Sequence, residues 1–508
     1  MKNKVLNFVE KFMLIVFLLL LVFYQTKHEL WLDELDWSIG IVDAGNLIKV
    51  NEMVLRTGEN LPLFYIILYI VKSIFGYHEW ILTFLTATIF TILGILGIIK
   101  ISDKLLTKEY RIYTIFYIFI SYSIMAQCGW QLRPYGLLFC CSSWMLYFWL
   151  QYREASTKKN FIKYTVSMIL LMYSHWFGVL ISLLYAVIDF ILFLKKKCDW
   201  KFIISYMVAG LVFLPSFITL LKFHQSDIGN YGVEVPSFIN IILIFRFLGG
   251  NLFINGLILV GTILILILDK PKEDKQQNAL RCIGYITILL IILTYLYSRF
   301  INPQGSIIRN RYFSVLLPHA IILLSYGAIS IIKSVSKNKA FMQIFKSFLV
   351  FYILLEVFVS YTYMIKYPNR EGTSNYKTWA EYLYNQEEVY DDQTLIICTY
   401  GKTWVDYYFT YRDKKLPQNI IGIDPLVIPN QPHMAEEKVE NFRYIIKDGK
   451  PSNDAITIEE IKEYDIVYYL EEYRTVSEEI SEIFFSFDYE TTAIEDAKLY
   501  KMEKVNEE

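Results

Sequence analysis

The chain has 508 residues, with 49 Lys and Arg against 50 Asp and Glu, and 55% of it is hydrophobic. That apolar content, gathered in runs such as Phe12–Tyr24, Phe84–Ile99 and Leu252–Leu268, excludes an ordinary soluble protein and points to helices solvated by lipid. A formal charge of −1 leaves no basic field and excludes a nucleic-acid binder.

The average hides a split. Residues from 367 onward hold 30 of the 50 acids but only 15 of the 49 bases. The expected organisation is therefore a membrane body over residues 1–366 and a water-facing domain over 367–508. The six cysteines (Cys128, Cys140, Cys141, Cys198, Cys282, Cys398) show no CxxC spacing and read as small core residues, not a zinc site or disulfide framework. Lys2, Lys4 and Lys11 precede the first apolar run, and Tyr24–His28 lacks a small-x-small pattern, so the run reads as an uncleaved first span.

In chain order, eleven crossings are predicted, near residues 8–24, 79–100, 111–127, 134–152, 162–175, 177–195, 202–221, 251–268, 280–298, 313–333 and 345–365. The apolar segment Leu61–Phe75 is short and follows Gly58 and Pro62, and the positive-inside rule places it along the interface. With it there, one side collects the Lys/Arg groups near residues 2–11, 100–111, 153–163, 195–201, 270–281 and 333–346. Were it to cross, every later loop would flip and the bias would vanish. The N-terminus is then expected in the cytoplasm, with the loops 25–78, 127–133, 222–250 and 299–312 and the tail from 366 outside. No internal repeat or pair of broken helices of the transporter kind is evident.

The first outer loop carries Trp31-Leu32-Asp33-Glu34-Leu35-Asp36-Trp37-Ser38, two adjacent carboxylates flanked by tryptophans at headgroup level. The pair could cap a short interfacial helix from Asp33 to about Val42. Alternatively, one carboxylate could take a proton from an attacking hydroxyl while its neighbour orients it or helps hold a cation. Further along, Asn60-Leu61-Pro62-Leu63-Phe64-Tyr65 opens the interfacial segment, and Gln131-Leu132-Arg133-Pro134-Tyr135 forms the turn between the third and fourth crossings. Arg133 could snorkel to the headgroups, or its planar fork could grip a phosphate. Tyr173-Ser174-His175-Trp176-Phe177-Gly178 ends the fifth crossing, where His175 is either a satisfied interfacial side chain or a hydrogen-bond donor to a phosphate or sugar. Arg309-Asn310-Arg311-Tyr312-Phe313 opens the tenth crossing from outside. Two arginines there break the charge bias, which favours a lipid-phosphate clamp over plain anchoring.

Trp-x-Asp-Glu followed by Gly-x-x-x-Pro-Leu resembles the opening of the GT-C membrane glycosyltransferases, in particular the bacterial mannosyltransferase-like and aminoarabinose-transferase-like members and the protein O-mannosyltransferases. The resemblance implies Asp33 as the general base and Glu34 as its partner. It further implies Arg133, His175, Arg309 and Arg311 at the donor phosphate, with Trp31, Asn60, Gln131, Tyr135 and Tyr312 lining the substrate pocket. Two departures stand out. Asn60 replaces the His of the family's His-Pro-Pro-Leu, and Gln131 replaces the acid of its Glu-x-Arg-x-Tyr pattern. A Mg or Mn ion at Asp33/Glu34 would thus lack its most obvious third carboxylate.

Three charges fall inside apolar runs. Asp189 is expected to reach Lys195–Lys197, Glu356 has no evident partner, and Arg246 lies in a segment, Phe238–Leu248, read as interfacial. No acid pairs with another in a relay, which speaks against a proton-coupled transporter. In the tail, Tyr376–Asn385 reads as an amphipathic helix and Trp404–Tyr411 as an aromatic helix or strand. Thr394–Thr399, Ile420–Ile423, Arg443–Ile446, Asp465–Tyr469 and Thr491–Tyr500 read as strands, with helical stretches at Ile458–Glu463 and Glu478–Phe485. This is a small α/β domain without a Gly-rich phosphate loop or Asp-x-Asp motif.

The expected fold is mainly α, a polytopic GT-C-like bundle with interfacial helices in its first outer loop and a small extracytoplasmic α/β domain. The expected function is an inverting, hexosyl- or mannosyltransferase-like enzyme of the cell membrane. Nucleotide sugars are absent outside the cell, so the donor would be a polyprenyl-phosphate sugar and the acceptor a hydroxyl of a glycan, lipid or protein. The alternatives are a transporter or flippase of lipid-linked glycans, or a catalytically degenerate relative.

Overall fold

The computed structural model describes residues 2–26, 29–57, 60–196, 199–223, 235–250, 253–269, 274–303, 306–335, 339–366, 376–398, 407–409, 414–422, 461–470, 489–494 and 499–505. The chain forms two compact units, Met1–His28 with Ala44–Pro368, and Glu29–Asp43 with Asn369–Glu508.

The first unit is helical, and a helix lies at each of the eleven predicted crossings. Six helices are long and apolar enough to cross a bilayer, or eight if each of two bent pairs counts as one span. In lipid only a helix satisfies every backbone N–H and C=O within one segment, so the apolar runs dictate this architecture. The segment read as interfacial forms the helix Pro62–Phe75; its 14 residues extend only about 21 Å, short of the roughly 30 Å hydrocarbon core. Pro62 stands at its first turn, where a missing N–H costs nothing, and Gly76 at φ 71° ends it.

The third predicted crossing is not one straight helix. Arg111–Phe119 and the π-helical Ser123–Trp130 meet at a bend of 66°. Further π turns occur at Phe84–Thr88 and Tyr297–Ile301, and a 3₁₀ turn, Asn310–Leu316, precedes the helix Leu317–Val335. Such irregular turns cluster at functional sites because they re-aim side chains that a regular helix would point elsewhere.

Asp189 does not reach Lys195 or Lys196, and Lys197 lies outside the described residues. Its carboxylate instead accepts from Arg153 Nη1 at 3.1 Å, Trp149 Nε1 at 3.0 Å and the Tyr206 hydroxyl at 2.6 Å. Lys195 stands six residues further along the helix, roughly 120° around its axis, whereas Arg153 approaches from a neighbouring helix. A buried carboxylate with a charged partner and two neutral donors is the arrangement an acid needs inside a bilayer.

In the second unit Leu32–Val42 is helical throughout, with a π turn at Leu35–Ile39. Five strands, β1 (Thr394–Cys398), β2 (Ile420–Gly422), β3 (Ile466–Leu470), β4 (Tyr489–Ile494) and β5 (Leu499–Lys504), form a sheet of order β2-β1-β3-β5-β4. β1 runs parallel to β2 and β3, and β5 antiparallel to β3 and β4. β1 is buried at every position, as a central parallel strand must be. The helix Tyr376–Leu383 buries Tyr376, Trp379, Ala380 and Leu383, an i, i+3, i+4, i+7 stripe. The stretch read as one strand, Thr491–Tyr500, is two antiparallel strands pairing Ile494 with Leu499. Of Trp404–Tyr411 only 407–409 is described, as helix, and Arg443–Ile446 and Glu478–Phe485 lie outside the described residues.

Candidate functional site

Five of the predicted residues come together in the first unit, and local structure explains how each is held. The turn that carries Arg133 and Tyr135 is fixed from both ends. Before it, Thr88 Oγ1 donates to the Gly129 carbonyl at 2.7 Å and Trp130 Nε1 to the Leu21 carbonyl at 3.1 Å. After it, a Cβ on Gly136 would meet the carbonyl oxygens of Cys128 at 2.4 Å and Ala87 at 2.9 Å. Only glycine permits this close approach of the helix Tyr135–Glu154 to its neighbours. Arg133 and Tyr135 are consequently buried, at 2% and 0% exposure.

His175 sits at the junction between the helices Lys158–Ser174 and Trp176–Leu194, outside both. It caps the second helix, its Nδ1 accepting from the Phe177 backbone N–H at 3.1 Å. Because Nδ1 accepts, the proton of the neutral imidazole must be on Nε2, which makes that nitrogen a donor. Burial, then the charges of Arg133 and Arg311, push the His175 pKa down to about 3. The ring is neutral at physiological pH, with its buried Nε2 lacking a hydrogen-bond partner among the described residues.

The 3₁₀ turn Asn310–Leu316 supplies the rest, tied to the helix Tyr135–Glu154 by Ser142 Oγ donating to the Val315 carbonyl at 2.6 Å. The Tyr312 ring lies 5.0 Å from that of His175 and 6.1 Å from that of Tyr135, and His175 and Tyr135 stand 6.0 Å apart. The guanidinium of Arg133 lies 6.0 Å from the Tyr135 ring and that of Arg311 5.8 Å from it. The Tyr135 hydroxyl is buried and lacks a hydrogen-bond partner among the described residues. Two guanidinium groups, a neutral histidine donor and a phenol thus surround one spot. Such donors match the oxygens of a phosphate.

In the second unit Glu34 is fully buried and accepts from the Trp31 backbone N–H at 3.0 Å. This is the reach-back of a capping-box glutamate at the start of a helix, so the capping use of the acidic pair applies to Glu34. Asp33, one position earlier, is partly exposed.

No protein-family model matches the chain, and neither does any curated protein. Solved structures do. ArnT from Cupriavidus metallidurans bound to undecaprenyl phosphate superposes with a TM-score of 0.56 over 97% of this chain and 97% of that one, at 10% identity. The same protein in the apo state gives 0.56 over 97% and 98%, also at 10%. The chain has the ArnT fold.

Within that fold Arg133, Tyr135, His175, Arg311 and Tyr312 lie near one another. Arg309 stands at the N-cap position of the 3₁₀ turn and is exposed. Asn60 and Gln131 are buried in the same unit. Phe177 and Phe313 were missed. They close the cluster from the apolar side, Phe177 at 5.4 Å from Tyr312 and 5.1 Å from Phe313; the aromatic steps after His175 and Tyr312 were the available signal. Among the described residues no three His, Cys, Asp or Glu side chains come together to hold a metal ion.

Proposed function

We propose that this chain is a glycosyltransferase that moves a sugar from a polyprenyl-phosphate donor to an acceptor hydroxyl on the extracytoplasmic side, with inversion. The observation that carries the reading is the grouping of the buried Arg133 and the half-buried Arg311 about Tyr135, with His175 Nε2 as a neutral donor. ArnT, whose fold the chain shares, has been solved with undecaprenyl phosphate bound, which agrees with a lipid phosphate as the ligand of such a grouping.

In this mechanism the acceptor oxygen attacks the anomeric carbon and passes its proton to Asp33, while the bond from that carbon to the phosphate oxygen breaks. The electron pair leaves on the phosphate. Arg133, Arg311 and His175 meet the developing charge without reorganising, each well-placed donor contributing about 3–4 kcal/mol by analogy with oxyanion holes. Glu34, engaged by the Trp31 N–H, holds the turn that presents Asp33. The sugar and the acceptor are left open by this chemistry, since neither the phosphate grouping nor the base selects them.

The deciding experiment incubates purified protein with a panel of polyprenyl-phosphate sugars and measures released polyprenyl phosphate. The expected result is release with one donor, nearly abolished in Asp33→Asn. Release unaffected by Asp33→Asn, or movement of intact lipid-linked sugar between leaflets without cleavage, would sink the transferase reading in favour of a flippase.

A further inference from the structure

Glu356 is an acid in the helix Lys339–Lys366, is fully buried, and plays no part in the chemistry above. It faces a glycine pair that ends the helix Phe238–Gly249. A Cβ on Gly250 would lie 3.1 Å from Glu356 Oε1 and 3.4 Å from Asn255 Nδ2, and Gly250 has φ +103°. A Cβ on Gly249 would lie 3.1 Å from the backbone and side chain of Asn255. Asn255 is itself gripped, its Oδ1 accepting from the Tyr352 hydroxyl, one helical turn before Glu356 on the same helix. Glu356, Tyr352 and Asn255 therefore form a polar seat for the end of Phe238–Gly249. A side chain at Gly250 would press on Glu356 Oε1 and Asn255 Nδ2 and would be strained by the positive φ that L residues avoid.

The seated helix touches both arginine-bearing segments. Its Phe247 carbonyl accepts from Ser123 Oγ at 2.7 Å, on the π-helical segment that leads into Gln131 and Arg133. It also packs against the 3₁₀ turn Asn310–Leu316, which carries Arg311 and Tyr312. One rigid rod thus runs from Glu356 to the two elements whose relative position decides whether the guanidinium groups can share one phosphate. An intramembrane carboxylate is costly and is kept where it does a job. We infer that Glu356 is a positioning residue: by seating Gly250 together with Asn255, it sets the register of Phe238–Gly249 and so the spacing of Arg133 and Arg311. This rests on the donor-phosphate reading for its functional consequence but not for its structural claim.

The test separates the two. In a Ser123→Cys/Phe247→Cys background, which puts one thiol on each of the two elements that the Ser123 hydroxyl and the Phe247 carbonyl join, disulfide formation in micelles should be fast with Glu356 intact. It should slow about tenfold in Glu356→Leu and recover to within about threefold in Glu356→Gln, which keeps the shape and the polarity of the side chain. Undecaprenyl phosphate affinity should fall by about tenfold in Glu356→Leu, with Glu356→Gln again restoring it. If Glu356→Leu does not fold, Gly250→Ala, which leaves the acid in place and fills its seat, must give the same slowing. Equal cross-linking rates in folded Glu356→Leu or Gly250→Ala would overturn the inference. Slowed cross-linking in a protein whose parent does not bind undecaprenyl phosphate would uphold the seat and remove the donor reading instead.

Discussion

The guanidinium groups of Arg133 and Arg311, from turns far apart in the chain, lie 6.0 and 5.8 Å from the centroid of one tyrosine ring, that of Tyr135. Two planar forks beside one ring suit a phosphate with several oxygens to engage. Removing either should weaken binding of undecaprenyl phosphate by about 10- to 100-fold, the worth of one charge-assisted hydrogen bond. Arg311→Lys should recover little, because an ammonium lacks the planar fork. The exposed Arg309 should tolerate Ala within about threefold, as rim charges do. Titration of labelled undecaprenyl phosphate into micelles checks all three; a larger loss at Arg309 than at Arg311 would refute the arrangement.

Tyr135→Phe should separate stability from turnover. The hydroxyl is buried and lacks a hydrogen-bond partner among the described residues, so its removal should leave the melting temperature unchanged or raise it, by up to about 1 kcal/mol of stability. Turnover should fall about tenfold if the hydroxyl donates to the departing phosphate. A clear loss of stability would mean that the hydroxyl is satisfied within the protein.

His175 gives a pH dependence whose sign follows from its cause. Burial and the two arginines hold its pKa at about 3 in the folded protein, below the roughly 6.5 of an unfolded chain. Its contribution is fully present above pH 6.5 and is lost as pH falls from there toward 3, because the unfolded state binds the proton first. At pH 5.5 the loss from this one group is about 1.4 kcal/mol. His175→Asn keeps a side-chain acceptor for the Phe177 N–H and should show a smaller drop in melting temperature between pH 7.5 and 5.5. The same neutrality means that the activity profile should carry no limb near pH 6.5 that disappears in His175→Asn.

Asp189 with Arg153, Trp149 and Tyr206 is expected to matter for folding alone. Asp189→Leu leaves a half-buried guanidinium without its carboxylate and should cost about 3–5 kcal/mol. Arg153→Leu/Asp189→Leu together should cost less than Asp189→Leu alone. Thermal unfolding in micelles measures both; an undiminished melting temperature in Asp189→Leu would refute the pairing as structural support.

The chain's helices and most of its strands could be read in advance because their signals are local. Apolar run length gives a membrane helix, and the i, i+3, i+4, i+7 stripe of Tyr376, Trp379, Ala380 and Leu383 gives the amphipathic one. Where a signal was local but ambiguous the reading failed: the β-like composition of residues 491–500 spans parts of both β4 and β5. Asp189 failed for a different reason. The nearest bases in sequence are not on its helical face, and the partner comes from another helix.

By itself, then, the sequence determined the solvent of each part of the chain and the residue types gathered near the candidate site, since hydrophobic runs, Pro and Gly act through their immediate neighbours. Only the tertiary structure decided that Arg311 and not Arg309 joins Arg133 at Tyr135, that the His175 proton resides on Nε2, and that Glu356 faces Gly250. Those choices depend on the path of a 3₁₀ turn, a backbone N–H two residues on, and the close approach of separate helices. Such facts of packing have no counterpart in the order of residues along the chain.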